Sequence, residues 1–424
     1  MPRRPALRAC GMTDERVTIL GAGIVGICCA LSLQERGINV RLIDRAAPGQ
    51  ATSYGNAGVI SPWSFVPQAM PGIWKAIPRM LMSRKGPLSV RASVWPKMIP
   101  WGARFLAQSR PDKTRATMDM MQILSDPSVA LYRRHLAGTG REDLLVDSMY
   151  VHAFRQADRA SLSDLGYAIR REKGAELELL GADALHQLEP ALSKDFKAAV
   201  LIKGQARARA PGEIGRVLAE KAAGLGAEIV QGEVTALTRQ GPAGWRVITT
   251  AGSYDSAKVI VSAGVWSAAL LNPLGLTSPL MVERGYHVEF PKAGIAVENS
   301  IMDVDAKVVA SAMEGGVRVA GTSEFGPIDA PPDPRKQRLL TTQAKDMFPD
   351  LATEDVRFWM GRRPSYPDSL PALGEFASHK GLIAAFGHCH YGLLMAPKTG
   401  ELVADLVTGI TPNVDLSPVD PLRF

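Results

Sequence analysis

Hydrophobic positions along this chain follow two periods, and the changes between them mark its organisation. Val17 to Leu20 is a short apolar run that predicts a strand. A glycine turn follows, and an apolar stretch from Ile24 to Arg36 predicts a helix stopped by Gly37. Asn39 to Ile43 predicts a second strand, completing a βαβ unit buried on both faces. Residues 112–190 read as helices, with one strand near "LLVDSMYVHAF". Around Gly204 a second region of this kind begins: the helix "PGEIGRVLAEKAAGLG" feeds strands in "AEIVQGEVTALTRQ" and "GWRVITTAGSYDSAKVIVSAGVWS". From Leu280 to Phe325 the pattern alternates, as in "RGYHVEF", and predicts an antiparallel sheet. The last stretch, from "FWMGRRPSYPDSLPALG" through "GLIAAFGHCHYGLLMAPKTGELVADLVTG", returns to strand, glycine turn and helix. This order predicts an α/β chain with α+β character: a discontinuous Rossmann-like domain in three pieces (14–62, 195–275 and 359–424) and an inserted domain in two (63–194 and 276–358).

With 424 residues, two or three hydrophobic cores are expected. Composition is that of an ordinary globular protein, 46% apolar and 21% charged, and no window approaches the roughly 18 uninterrupted apolar residues of a membrane span. The start, "MPRRPALRACGMTDER", lacks an apolar h-region and is not a secretory signal. It reads as a disordered leader, with Met12 as a candidate natural start. Adjacent Cys28 and Cys29 read as small buried residues of a protein in a reducing, cytoplasmic compartment.

The net charge of +7 is unevenly spread. No acidic residue falls between Asp44 and Asp112, while Arg45, Lys75, Arg79, Arg84, Lys85, Arg91, Lys97, Arg104 and Arg110 are cationic, and Trp63, Trp74, Trp95 and Trp101 lie in the same interval. Residues 63–110 therefore fit a partly packed helical excursion of the inserted domain, or a peripheral contact on the inner, anionic face of a membrane. No nucleic-acid partner is expected.

The turn "GAGIVG" carries the first chemistry. Gly21 allows the tight turn, Gly23 lets the backbone approach a pyrophosphate, and Gly26 lets helix and strand pack closely. Phosphates suit the helix N-terminus, where Ala22, Ile24 and Val25 complete the cradle. Asp44 ends the second strand, where a carboxylate accepts hydrogen bonds from ribose hydroxyls, with Arg45 beside it. In "GQATSYGNAGVISP", Ser53, Asn56 and Gly58 could line the far half of a long cofactor.

The segments "GAGIVG" with Asp44, "SYGNAGVISP", "PGIWKAIPRMLMSRKGPLSVR", "VIVSAGVWS", "RGYHVEF", "GRRPSYPDSLPALG" and "GHCHYGLLMAPKTGELVADL" together resemble the FAD-dependent D-amino-acid oxidase superfamily, and most of all its D-amino-acid dehydrogenase (small subunit) branch. The resemblance runs from Val17 to Gly409. It implies an FAD-binding domain of the glutathione-reductase type, with the inserted domain holding substrate. It also implies that Val234 meets the adenine through its backbone, that Ala263 and Gly264 flank the pyrophosphate, and that Gly387, His388, Gly392 and Leu393 meet the isoalloxazine. His388 either orients that turn or serves as a capping or core histidine. Relatives with a covalently attached flavin carry a cysteine just before "PSYPD". This chain has Met360, Gly361 and two arginines there, so noncovalent FAD is expected. No metal is expected, because neighbours in "HCH" point in different directions.

Implied by the same resemblance is oxidative deamination of an amino acid, with hydride leaving the α-carbon for flavin N5 and the resulting imine hydrolysing. Such a reaction depends on orientation and on a clamp for the carboxylate, which an arginine fork suits best. Arg363 matches the family's carboxylate binder, and Arg284 a position often basic in the dehydrogenase branch. Arg362 adds a cation near or behind the site. His390 and Tyr391 replace small residues over the flavin, and a histidine there could accept the ammonium proton. Tyr286, His287 and Tyr54 are rim candidates. These departures also admit a secondary-amine acid, such as iminodiacetate, sarcosine or a D-hydroxyproline-like compound, with O2 or a quinone as electron acceptor.

Overall fold

The computed structural model describes residues 16–82, 86–241 and 244–424. The expected leader with Met12, and Arg84 and Lys85 of the basic stretch, lie outside the described residues.

Five parallel strands and one antiparallel edge strand form the first sheet, in the order Ala372–Glu375, Leu382–Phe386, Val259–Val261, Val17–Leu20, Val40–Asp44, Glu228–Gln231. The central strands are buried on both faces, as their continuous apolar runs require. Helix Ile24–Gln34 follows the first strand and is apolar all round because it is covered all round. It packs against the long C-terminal helix Gly392–Thr408 so closely that a Cβ on Gly400 would stand 2.5 Å from the Cys28 carbonyl oxygen. Cys28 and Cys29 are fully buried, and burial pushes both thiols up. A three-stranded antiparallel sheet, Val234–Gln240, Gly244–Thr249 and Gly252–Ser256, completes this domain.

A second, ten-stranded mixed sheet forms the inserted domain. Its spine runs Arg357–Ser365, Met281–Phe290, Gly316–Phe325, Val308–Met313, Ser300–Asp303, Leu145–Phe154, Ala198–Ala208, Val59–Ile60. The domain edges expected at 195 and 359 therefore shift. Strand Ala198–Ala208 pairs with Leu145–Phe154, so the nucleotide domain resumes at helix Pro211–Gly224. Strand Arg357–Ser365 pairs along Met281–Phe290, and the nucleotide domain returns only at Ala372. Val59–Ile60 likewise belongs to the larger sheet. Helix Pro334–Met347 covers the back of that sheet, burying Leu340, Ala344 and Met347.

The basic, tryptophan-rich segment folds as short helices, Ile77–Met82 and Trp95–Gln108, joined through strand Leu88–Val90. Met98 and Trp101 anchor it on Met281 and Phe325. It leaves Trp74 and Met82 exposed away from the cavity, while Trp95 and Ile99, also exposed, lie on the cavity wall with Ile77, Met98 and Trp101.

Candidate active site

One cavity of about 1240 Å³ runs between the domains, from Asp44, Arg45 and Val234 past Gly23 and Ser53 to Gly392 and Arg363. That exceeds the roughly 300–1,000 Å³ of a single small-molecule site. At the nucleotide end, Gly21 has φ 108°, and a Cβ there would stand 2.5 Å from the Ser262 carbonyl oxygen. A Cβ on Gly26 would come within 2.0 Å of the Gly21 oxygen, so the turn tolerates no side chain at either position. Helix Ile24–Gln34 has no acidic residue in its own first turn, so its positive end faces the cavity. The Ile24 N–H donates to Ser53 Oγ at 3.0 Å.

Asp44 reaches the cavity wall, and its Oδ2 accepts from the Ala22 N–H at 2.7 Å while Oδ1 accepts from the Ala46 N–H at 2.9 Å. The carboxylate holds the turn, with a second lone pair on each oxygen left for hydroxyl donors. Arg45 stacks on Trp266 at 3.9 Å from the ring centre, and Val234, Ala263 and Gly264 complete this end. These features fit an extended, diphosphate-bearing dinucleotide. Asn56 lines the cavity, but Gly58 does not: its N–H donates to Asn56 Oδ1, and a Cβ would meet the Ala208 carbonyl at 2.5 Å. Gly58 shapes the strand entry and is not a wall residue.

At the other end, Met281–Phe290 and Arg357–Ser365 run antiparallel in a register that pairs Glu283 with Arg363, Gly285 with Gly361 and His287 with Trp359. Side chains on a strand alternate between faces. Glu283 and Arg363 line the cavity, while Arg284 and Arg362 do not. Arg284 is fully buried, 2.6 Å from Glu324 and donating to the carbonyls of Ala330 and Pro331, so it is a structural cation and not a substrate clamp. Tyr286 is buried with its ring stacked on Phe358 at 5.6 Å, and it also lines the cavity. Arg362 lies behind the strand, donating to the Ile328 carbonyl. His287 and Tyr54 leave the rim. His287 stacks beneath Trp359 with Nδ1 at 3.1 Å from the Gly55 oxygen, and Tyr54 packs over Gly212.

Arg363 is partly exposed to the cavity, and its Nη1 donates to Glu283 Oε1 at 2.9 Å and to the Thr322 carbonyl at 3.3 Å. Glu283 is buried and also accepts from the Ser323 and Ser365 hydroxyls. Burial alone would push its carboxyl up, but Arg363, His390 and the two hydroxyls outweigh it and hold it below the ordinary range. Opposite Gly285 the sheet carries a bulge, and its residue Thr322 takes φ 62°, a strained choice for a β-branched side chain. The bulge presents the Thr322 carbonyl to Arg363. Strain of this kind gathers at functional sites.

His390 lines the cavity, its ring 3.8 Å from that of Tyr391 and its Nδ1 3.2 Å from Gln68 Nε2. Burial pushes it down to about 4, with Glu283 opposing and Arg363 reinforcing. It is therefore neutral near pH 7 and a poor acceptor for an ammonium proton, which corrects the base role expected of it. Tyr391 donates from its hydroxyl to the Val66 carbonyl at 2.9 Å and sits just ahead of helix Gly392–Thr408. That helix also lacks an acidic residue in its first turn, so the amide end at Gly392 and Leu393 presents positive potential to the cavity. His388 behind it shares a hydrogen bond with Thr399 Oγ1 at 3.0 Å, and burial pushes its pKa down to about 3. It orients the turn as a neutral core histidine. Among the described residues, no group of three His, Cys, Asp or Glu side chains is placed to hold a metal.

The family described as FAD dependent oxidoreductase matches residues 16–406. The chain belongs to that family. This FAD-dependent oxidoreductase is 36% identical to a D-amino-acid oxidase of Bradyrhizobium diazoefficiens over 420 residues, 97% of this chain and 99% of the relative. It is 28% identical to a D-amino acid dehydrogenase of Rhizobium rhizogenes, over 96% of this chain and all of the relative. Its fold is that of glycine oxidase from Geobacillus kaustophilus, with a TM-score of 0.74, 24% identity and coverage of 97% and 100% of the two chains.

Sequence reasoning missed several wall residues of the oxidoreductase. Trp359 fills the space above two glycines: a Cβ on Gly55 or Gly361 would stand 1.9 or 2.2 Å from its indole. Glu283 was signalled by an acid inside an alternating apolar strand next to Arg284. Thr322, Gln68 and Trp266 carry no comparable mark, because each is brought in by strand pairing or a loop.

Proposed function

We propose that this protein oxidises the C–N bond of a small amino acid, with Arg363 clamping the carboxylate. The observation that carries this reading is the free edge of Arg363. Nη1 is held by Glu283, while among the described residues Nε and Nη2 have no partner and the guanidinium lines the cavity. A planar fork with two free N–H groups matches a carboxylate in a bidentate pair. When bound, FAD supplies the two-electron acceptor for the hydride that leaves the substrate carbon. Glu283 fixes the clamp, neutral His390 and Gln68 wall the reacting face, and apolar side chains such as Ile73, Ile77, Met98 and Trp101 form the roof. The amides at Gly392 and Leu393 offer positive potential where negative charge collects on reduction.

The name of the 36% identical relative favours a D-amino acid. A secondary-amine acid is the second reading, favoured by a cavity wall that continues past Arg363 to Lys307 and Arg170 and offers a nitrogen substituent further polar partners. Noncovalent FAD is supported by Met360, which is packed in the core, and by Cys389, whose thiol is pushed up to about 12 by burial and engages the Tyr366 amide. For the setting we propose the cytoplasm, with the segment 63–110 resting on an anionic membrane and O2 or a quinone taking the electrons. Exposed Trp74 and Met82, with Lys75 beside Trp74, support that contact. Among the described residues no helix is long and apolar enough to cross a membrane.

The test is anaerobic bleaching of the bound flavin's visible band with D-amino acids, L-amino acids, sarcosine, iminodiacetate and D-hydroxyproline. Bleaching by amino acids in the native protein, lost in Arg363→Ala at equal flavin content, is expected. Equal bleaching in that variant would remove the clamp.

A further inference from the structure

The cavity has a second charged corner, away from Arg363. Arg170, on helix Leu165–Glu172, lines the wall together with Tyr150 and His152. Its Nε donates to the Trp63 carbonyl at 2.8 Å and its Nη1 to the Gly166 carbonyl at 3.1 Å. Nη2 has no partner among the described residues. Nor does any carboxylate among them pair with this cation, although burial penalises its charge. The guanidinium is partly exposed and flanked by the rings of Phe65 and Tyr167 at 5.9 and 5.8 Å, and with no carboxylate beside it among the described residues it can take an anion from outside the chain.

His152 supplies an independent observation. More than nine-tenths buried, it also lines the cavity; its Nδ1 lies 2.7 Å from the Tyr167 hydroxyl, and its Nε2 is buried with no hydrogen-bond partner. When the Tyr167 hydroxyl donates to Nδ1, the ring proton sits on Nε2 and is ready to be given. Lys307 adds a cation to the same wall, shared with Asp305. The adjacent, mutually tilted rings of His390 and Tyr391 link the two corners, with Arg363 acting on His390 and Arg170 on Tyr391.

We propose that Arg170 and His152 form a subsite for a second carboxylate, so that the preferred substrate is a dicarboxylic amino acid held at both ends. This rests on the reading of Arg363 as the clamp for the first carboxylate. The second carboxylate can sit on the side chain, as in D-glutamate, or on the nitrogen substituent, as in iminodiacetate.

The experiment compares kcat/KM of the holoenzyme for D-glutamate, D-aspartate and iminodiacetate with that for D-glutamine, D-asparagine and sarcosine. At least one dicarboxylate should exceed its neutral counterpart tenfold or more, and which pair does so locates the second carboxylate. In Arg170→Gln that ratio should fall by ten- to hundredfold, the range of one charge-assisted hydrogen bond. His152→Phe, which leaves the Trp63 and Gly166 contacts intact, should lower it severalfold. Glutarate, which has no amine to oxidise, should raise the melting temperature of the holoenzyme more than butyrate, and Arg170→Gln should erase the difference. Neutral substrates that match the dicarboxylates, or a ratio unchanged in both variants, would overturn the subsite alone. Failure of every amino acid to bleach the flavin would overturn the clamp at Arg363, and this subsite with it.

Discussion

The guanidinium of Arg363 occupies the space where a side chain on Gly285 would begin: a Cβ built there would stand 2.2 Å from its central carbon. The two residues are on neighbouring strands two residues apart in register, on the same face, so the glycine is the seat of the clamp. Gly285→Ala is expected to displace Arg363 while leaving the nucleotide end intact. Flavin content should stay at the native level and kcat/KM should fall about tenfold or more, the loss expected when one charge-assisted pair is broken. Native kinetics in this variant would mean that the guanidinium works from another position.

Arg284 and Glu324 form a pair of a different kind. Both are buried, they lie 2.6 Å apart, and neither reaches the reacting end of the cavity. Arg284→Met leaves Glu324 buried with only Arg91, 2.9 Å away, to answer its charge. Removing one partner of a buried pair costs about 3–5 kcal/mol, and Arg91 places this case at the low end. The variant should unfold at lower urea concentration with KM unchanged, and Arg284→Met combined with Glu324→Leu should recover part of the loss. A raised KM at native stability would restore Arg284 to the substrate site.

Gly26 tests the nucleotide end. A methyl group there would lie 2.0 Å from the Gly21 carbonyl oxygen and 2.6 Å from Ser262 Oγ, contacts that only a shift of the turn can relieve. Gly26→Ala should therefore yield a folded but colourless protein, or one whose FAD leaves on gel filtration. Full retention of flavin at native affinity would place the cofactor's phosphates elsewhere.

The glycine turn, Asp44 and Arg363 are legible in the sequence because their physics is local: tight turns need glycine, and a G-x-R-P segment brings its own arginine. Arg284 and His287 are not, although both are candidates close to Gly285. Alternation takes Arg284 out of the cavity, and which parity faces it is decided by the partner strand and the bulge at Thr322. The domain edges fail for a similar reason. Ala198–Ala208 reads as the start of a nucleotide-domain segment, yet a strand takes the sheet of whichever edge it pairs with, here Leu145–Phe154 some fifty residues earlier. Arg170 is invisible in sequence for want of a motif. Its meaning comes from its place on the cavity wall, where no carboxylate among the described residues pairs with it.

Acid stability follows from the buried histidines. Burial pushes His135 down to about 4 and His287 and His388 down to about 3, from an ordinary value of 6.5. Below pH 6.5 the unfolded chain takes up protons at these rings that the folded chain refuses, so stability is greatest above 6.5 and falls as the pH drops toward 4. Each such ring contributes a slope of about 1.4 kcal/mol per pH unit in that window. Urea unfolding at pH 7, 6 and 5 should show the decline, well before the ordinary carboxylate range is reached. His388→Gln keeps a partner for Thr399 and removes one titrating ring, so its stability curve should be shallower than the native one by about one proton's slope. A native-like slope in that variant would mean that His388 is protonated inside the fold, and the amide end at Gly392 would then carry an extra positive charge behind it.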